Sequence, residues 1–349
     1  MNILFLYSEV MGYTEAVFQA FSKIDSSIQV HCVFWDQKKN TPYSNSAKEI
    51  KYYKRTDYNN STKINELIEQ IKPNIIYISG WIDNVYLSVV KKQKKKGIPI
   101  IVGLDSQWLG TLKQFIGSIF SFYFIKIYYS YALVAGFRQF EFARKLGFKP
   151  VAILSPLYSA NLEIFGNKNL SSSHDYKSKR ILFVGRLAKE KGILELINVF
   201  KKISLQFPEW ELKIIGNGEL KNFIEFDIKG FKIILEDFMK PELLVQEAQY
   251  ASFFCLPSNY EPWGVVVHEF AAIGLPLVIS NACGASRSFV INNYNGFVFD
   301  PKKNNQLEFC LIKMMQKNQD EFALMSDRSK QLSYSINPEI IAASILSII

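Results

Sequence analysis

Two carboxylates, Glu261 and Glu269, stand eight residues apart in FFCLPSNYEPWGVVVHEFAAIGLP, residues 253–276. Eight residues is a little over two helical turns, so a shared helix would set both on roughly one face. The stretch reads as an apolar run ending at Pro257, a polar loop over 258–262, and a helix-compatible run from Gly264. A helix start offers free backbone N–H groups and the positive end of the dipole, which together bind anions such as phosphate. The intervening PWGVVVH is mostly apolar, and a carboxylate within such a helix is costly unless paired or liganded. This points to a site for a phosphorylated, hydroxyl-rich ligand. His268 beside Glu269 is turned about 100° away on a helix, so a structural role is expected for it.

Two further constellations carry chemistry. VGRLAKEKG, residues 184–192, ends a strand in a turn that projects Arg186 and Lys191. Two cations at a strand-to-helix junction suit a diphosphate, which accepts both a forked guanidinium and a point charge. Read alone, the same residues make an ordinary turn with surface charge. IIGNGEL, residues 214–220, flanks Asn217 with glycines just after a strand. That lets backbone approach a flat ligand such as a nucleobase, or makes a plain tight turn. Asp83 in SGWIDN either accepts hydrogen bonds from a ligand or caps the next helix.

The elements that must hold these residues alternate. Strands are expected over 3–7, 29–35, 75–78, 98–102, 132–135 and 151–154, with helices over 15–23, 64–71, 87–96 and 138–146. A Ser-rich polar stretch, 166–179, breaks the pattern. It then resumes with strands over 180–184, 210–215, 232–235, 252–256 and 277–280, and helices over 193–206, 219–226, 241–249, 306–316 and 338–349. Apolar strands separated by helices predict two parallel, doubly wound sheets in series. The expected division is an N-terminal domain 1–160, a linker 161–179, a C-terminal domain 180–330 and a last helix in 331–349 that returns to the first domain. Ligands of such folds bind at the carboxyl ends of strands, with a cleft between two units as the expected site.

Composition narrows the class. At 349 residues, 48% hydrophobic and 21% charged, the chain is globular and long enough for two domains. Its four cysteines show no CxxC spacing and no histidine at metal-ligand spacing, which suits free thiols in a reducing compartment. MNILFLYSEV reads as a strand rather than a signal peptide, and no apolar run reaches membrane-span length. A cytoplasmic protein is expected, at most peripheral on the inner face of the cell membrane. The net charge of +9 belongs wholly to residues 1–170, with 21 Lys and Arg against 12 Asp and Glu. That half is expected to face something anionic.

In order and spacing, VGRLAKEKG, IIGNGEL, LPSNYEPWGVVVHEFAAIGLP and NACGASRSFVINNYNGF resemble the retaining glycosyltransferases of family 4 (glycosyltransferase group 1). The resemblance implies an α/β GT-B fold, two facing Rossmann-like domains with an interdomain cleft. It implies that Arg186 and Lys191 hold the donor diphosphate and that Glu261 lies by the donor sugar hydroxyls. Backbone N–H groups at Trp263, Gly264 and Val265 would meet sugar and phosphate, Glu269 would take the ribose hydroxyls, and Asn217 and Phe238 would line the base. The first half departs from the family twice. The Gly-rich turn after the first strand is reduced to Gly12 in SEVMGYTEA, and the His-Asp pair appears as Leu104-Asp105. Asp105 keeps a contact to donor sugar or acceptor, with Gln107 or Trp108 beside it. The implied chemistry is same-face transfer from a nucleotide sugar to a glycan or lipid-linked acceptor in bacterial surface-polysaccharide or glycoconjugate synthesis. Leaving-group charge is met by fixed cations and a helix start, with no metal and no cofactor.

Three other classes fit the sequence less well. A GT-B phosphorylase or sugar-nucleotide epimerase lacks its lysine-cofactor signature here. A basic nucleic-acid binder lacks any recognised module, so no nucleic-acid partner is expected. A silent partner subunit does not account for four retained charged positions. One feature concerns membranes. Residues 112–131, LKQFIGSIFSFYFIKIYYSY, form either an interfacial helix or a run packed beneath the first sheet. KKQKKKG, residues 91–97, is a patch that attracts anionic lipid, and membrane attachment is the favoured expectation.

Overall fold

A computed structural model describes residues 1–37, 47–166 and 178–349. Most of the Ser-rich stretch at 166–179 lies outside the described residues. The chain forms two units, Met1–Ser159 with Pro338–Ile349, and Ala160–Asn337.

The first unit is built on β1 (Asn2–Tyr7), α1 (Gly12–Ile24), β2 (Gln29–Phe34), β3 (Lys51–Lys54), α2 (Ser61–Ile71), β4 (Ile75–Ile78) and α3 (Asn84–Lys95). It continues through β5 (Ile100–Leu104), α4 (Leu112–Tyr128), β6 (Tyr131–Val134), α5 (Phe137–Leu146) and β7 (Ile153–Leu154). All seven strands are parallel, in the order β3-β2-β1-β4-β5-β6-β7. The central strands read ILFL and IIYI and are covered on both faces, as helix-flanked parallel strands must be.

The second unit runs α6 (Leu162–Phe165), β8 (Arg180–Val184), α7 (Ile193–Ile203), β9 (Glu211–Ile215), α8 (Lys221–Asp227), β10 (Ile233–Glu236), α9 (Pro241–Ala248) and β11 (Phe253–Leu256). There follow α10 (Val265–Ile273), β12 (Leu277–Ser280), α11 (Ser286–Phe289), β13 (Gly296–Phe299), α12 (Gln306–Met315) and α13 (Gln319–Ser333). Its parallel sheet has the order β10-β9-β8-β11-β12-β13. The last helix, α14 (Pro338–Leu346), packs on α1 of the first unit. The helical turn α6 falls inside the stretch read from sequence as a linker.

Both sheets wind outward from their first strand and then reverse, so the direction switches between β1 and β4 and between β8 and β11. Loops on either side of such a switch diverge and leave a crevice at the strands' carboxyl ends. In the second unit those two loops are the VGRLAKEKG turn and the PSNYEPW loop.

Besides the short helical turns α6 and α11, three elements differ from the sequence expectation. β3 is an edge strand, KYYK, with both lysines exposed, so it has no apolar run to betray it. β13 sits in NGFVFD, where Asn295 and Gly296 read as a turn. The 15-residue α13 was missed because serines make much of its packed face: Phe322, Met325, Ser326, Ser329 and Ser333 are buried, and the helix lies against α10. Small side chains there let two helices approach closely without any apolar period. Ser329 is fully buried and accepts from Asn295 Nδ2 at 3.1 Å. Ser329→Leu would overfill that contact and leave Asn295 short of a partner, so we expect the second unit to lose about 1–3 kcal/mol in denaturant titration.

Candidate functional site

The β8–α7 turn and the β11–α10 loop are tied together by backbone. The Glu190 carbonyl accepts from Asn259 N–H at 2.8 Å and from Tyr260 N–H at 3.3 Å. Over this seam lies an ion pair between Lys191 Nζ and Glu261 Oε2, with side chains only 19% and 12% exposed. Arg186 pairs instead with Glu190 one turn on, and its side chain is 66% exposed. The structure therefore joins Lys191 to Glu261 and leaves Arg186 at the rim. Both cations expected to meet a diphosphate already hold a carboxylate.

Glu261 is not on the helix. It forms an isolated parallel bridge with Cys283, and α10 begins four residues later at Val265. Pro262 cannot donate to a helix, and Gly264 takes φ 90°, so the chain turns before it coils. A Cβ at Gly264 would stand 2.8 Å from Cys283 Sγ, which restricts this corner to glycine. The two glutamates thus approach from a loop and a helix, not from one helical face. The start of α10 has no side-chain cap; Val267 N–H donates to the Gly264 carbonyl at 3.0 Å, and the N–H groups of Val265 and Val266 depend on something other than their own helix. Trp263 turns its indole into the core beside Phe289, which leaves only its backbone as a ligand contact.

Glu269 keeps some exposed surface yet is densely surrounded. Burial pushes its carboxyl up to about 7. His268, by contrast, is fully buried and committed: Nδ1 accepts from Ala160 N–H at 2.9 Å, Nε2 donates to the Ser333 carbonyl at 2.9 Å, and the ring stacks on Phe289. Its role is structural, and burial lowers its pKa to about 4.

Asn217 lies at the end of β9. Its Nδ2 donates to Asp237 at 3.2 Å and its Oδ1 accepts from Gly218 N–H. Lys221 joins the same Asp237 at 2.6 Å, and Phe238 beside it is 52% exposed. The sequence missed Asp237 and Lys221; an acid directly before the expected Phe238 was the available signal. The IIGNGEL glycines have a reason other than the ligand approach expected of them. A Cβ at Gly216 would meet the Gly185 carbonyl at 1.9 Å, so the glycine makes room for the neighbouring turn.

In the first unit, Gly12 opens α1 at the β1–β4 switch. Asp105, just past β5, is exposed; its carbonyl accepts from Gln139 Nε2 at 2.9 Å and its Oδ2 faces the Tyr158 hydroxyl at 3.5 Å. Tyr7, Tyr13, Tyr77 and Tyr158 gather at a small pocket there. Burial pushes Tyr7 up to about 12 and Tyr77 and Tyr158 well above their usual range, so all three are neutral donors. Leu104 is buried in β5 and cannot stand in for a histidine. Gln107 is spent on Arg138 at 2.9 Å, and Trp108 packs on Phe115 and Phe142. Asp83 is a helix cap, accepting from Val85 and Tyr86 N–H and pairing with Arg55 at 3.1 Å.

Residues 167–331 match the family described as Glycosyl transferases group 1. Over that stretch the second unit is similar to the group 1 glycosyltransferases. A Haemophilus influenzae protein described as an uncharacterized glycosyltransferase is 31% identical over 162 residues, covering 45% of each chain. The matched part thus spans less than half of that relative. Two solved structures cover all of this chain. One is the apo lipopolysaccharide outer core galactosyltransferase WaaB, with TM-score 0.72, 18% identity and 100% of its own chain covered. The other is Anabaena Alr3699/HepE in complex with UDP, with TM-score 0.74, 14% identity and 99% covered. At such identities the likeness is one of fold, and the fold is GT-B. Among the described residues, no three His, Cys, Asp or Glu side chains gather closely enough to hold a metal ion.

His268 carries a prediction for the second unit. Its folded pKa, about 4, lies below the usual value near 6.5, so the unfolded chain binds the extra proton between those pH values. Stability is fully present above pH 6.5 and falls as pH drops toward 4, by about 3 kcal/mol at most. His268→Gln should flatten that slope by one proton in thermal melts taken across the window. An unchanged slope would show that the ring is not the titrating group.

Proposed function

We propose that the chain is a retaining glycosyltransferase that moves a sugar from a nucleotide-sugar donor to a glycan or lipid-linked acceptor. The observation that carries this reading is the Lys191–Glu261 pair over the β8–β11 switch, beside the uncapped start of α10. A diphosphate arriving there meets free N–H groups and a lysine that it can share with or take from Glu261. Once Lys191 turns to phosphate, Glu261 is left as an acceptor for sugar hydroxyls. Arg186, long and exposed, swings from Glu190 to the same diphosphate. Departure of the nucleoside diphosphate leaves an oxocarbenium-like sugar, and the two cations with the helix start stabilise the leaving charge. The reading calls on no metal. Same-face attack follows from the family resemblance, with the leaving phosphate oxygen taking the acceptor's proton.

Asn217 and Phe238 form the base side of the donor site and Glu269 the ribose side. In the first unit, Asp105 with the neutral Tyr158 hydroxyl offers an acceptor and a donor to hydroxyls of a sugar. The acceptor class is supported by the likeness to a lipopolysaccharide galactosyltransferase, and a uridine nucleotide by the UDP complex of the second neighbour. A cytoplasmic site, where nucleotide sugars are made, belongs to the same reading.

A thermal-shift screen of UDP-, GDP- and ADP-sugars tests the donor class, and selective stabilisation by one of them is expected. With that donor, Lys191→Ala and Arg186→Ala should each lower turnover by roughly 10²–10³-fold. Near-normal turnover in either would refute its role. The anomeric proton of the product, read by NMR, should keep the donor's configuration.

Glu269 adds a pH test. Ribose hydroxyls donate to its ionised form, and the free carboxyl titrates near 7. Affinity for the nucleotide should therefore rise with pH through 7, by up to about tenfold per unit below it. In Glu269→Gln that component should vanish from calorimetric titrations; an identical pH profile in both proteins would remove Glu269 from the ribose site.

A further inference from the structure

α4 is inverted. At about 100° per residue, Leu112, Ile116, Ile119, Phe120, Tyr123 and Ile127 fall within about 100° of arc. All six point outward: Leu112 is 75% exposed, Ile119 and Phe120 70% each, and Tyr123 72%. The opposite face, turned to the protein, is mixed: Phe124, Ile125 and Tyr128 near the C-terminal end pack on the core, and the rest of it is polar. Gln114 donates to the Gln107 carbonyl and accepts from Leu109 N–H, and Ser121 donates to the Leu146 carbonyl. Of the helix's 17 residues only Ile125 is buried. A helix that meets the fold with three apolar side chains, a glutamine and a serine, and leaves eight aliphatic and aromatic residues on the exterior, has a second apolar phase to meet.

Charge says which phase. Residues 84–149, which contain α3, α4 and α5, hold eleven Lys and Arg against two acids, Asp105 and Glu141. That excess equals the formal net charge of the whole chain, +9. The basic residues flank the apolar stripe on both sides. Lys91 lies over the Tyr128 ring on the α3 side, with Lys92 and Lys95 exposed beside it. Lys145 lies over Trp108 on the α5 side, with Arg144 and Lys149 exposed. Lys94 fastens the C-terminal end of α4 by donating to the Lys126 and Tyr129 carbonyls. The helix spans roughly 25 Å at 1.5 Å per residue, and among the described residues no helix is long and apolar enough to cross a membrane. A short apolar stripe between two cationic borders fits the plane of a headgroup layer, with rings and aliphatic chains below it and lysines at phosphate level. A second protein chain would instead need acidic borders to match.

We infer that α4 docks the first unit on an anionic lipid bilayer, lying in the interface and held by the lysines of α3 and α5. This deepens the transferase reading, since it holds the unit assigned to the acceptor at the surface where a lipid-linked acceptor is embedded.

The test uses the full chain in vesicle co-sedimentation, with phosphatidylcholine alone or with about a third phosphatidylglycerol. Binding should be at least about tenfold stronger to the anionic vesicles and should weaken as salt rises. Ile119→Glu with Phe120→Glu should cut it by about tenfold or more, and so should Lys91→Gln with Lys92→Gln and Lys95→Gln. Both variants change exposed residues only, so their melting temperatures and their response to UDP should match the wild type. Equal binding to neutral and anionic vesicles, or wild-type binding by either variant, would overturn the inference. So would a wild-type dimer that ignores vesicles and that the α4 variant dissolves, which would assign the stripe to a second copy. Lost vesicle binding with an intact nucleotide response would sink the docking and spare the transferase. A missing response to every nucleotide sugar with vesicle binding intact would do the reverse.

Discussion

The ion pair between Lys191 and Glu261 fixes the geometry of the second unit's crevice. It bridges the two loops that leave the sheet in opposite directions, the first of them held locally by a single 3-10 turn over Lys189–Lys191. Two charges this shielded lose hydration that their attraction only partly returns, so a well-packed apolar pair would hold the loops at least as firmly. Such a pair makes sense where one partner must be released. Removing either member alone strands the other, at about 3–5 kcal/mol for full burial and less here. Bringing in a second anion gives the lysine a new partner, and the released Glu261 then calls for hydroxyl donors of its own.

The surrounding residues follow from that constraint. Asn259 and Tyr260 hang on the Glu190 carbonyl, so the PSNYEPW loop is set by the same short turn that carries Lys191. Gly284 N–H and Ala285 N–H bond back to the Glu261 and Trp263 carbonyls, which locks the segment after β12 onto the loop. Cys283 Sγ donates to the Trp263 carbonyl from beneath, and burial pushes this thiol up to about 12, so it stays a neutral donor. A sequence run that looked like three separate motifs is one hydrogen-bonded corner.

Much of this was legible because the signals were local. The apolar strands and their punctuation by Gly and Pro gave the parallel sheets, and the charged residues of VGRLAKEKG and PSNYEPW marked the loops at the switch. What escaped depended on partners distant in sequence. α13 could not be seen while its packed face was assumed apolar, since its serines are buried only by virtue of α10 opposite. Its Asn318–Glu321 capping box was a readable start signal that the apolar period overshadowed. The helical-face argument for Glu261 and Glu269 failed because Pro262 and Gly264 stop the helix short. Asp237 and Lys221 acquire meaning only when β9 and β10 are neighbours. The tyrosines at Asp105 come from four separate segments, and no spacing rule joins them.

Charge balance explains how the crevice proposed to take an anion can sit in so basic a chain without a strong standing field. Lys191 is matched by Glu261, Arg186 by Glu190 and Lys221 by Asp237, and Glu269 is half protonated near neutral pH. The crevice is thus close to neutral, and its unmet demand lies in the Val265 and Val266 N–H groups at the start of α10. An isolated phosphate gains little there, because it must compete with carboxylates already in place. A ligand that supplies hydroxyls for the released carboxylates and phosphate for the released cations satisfies every group at once. Affinity should then reside in the conjunction of sugar and diphosphate, while the uncompensated positive charge is gathered around α4, on a different element and for a different contact.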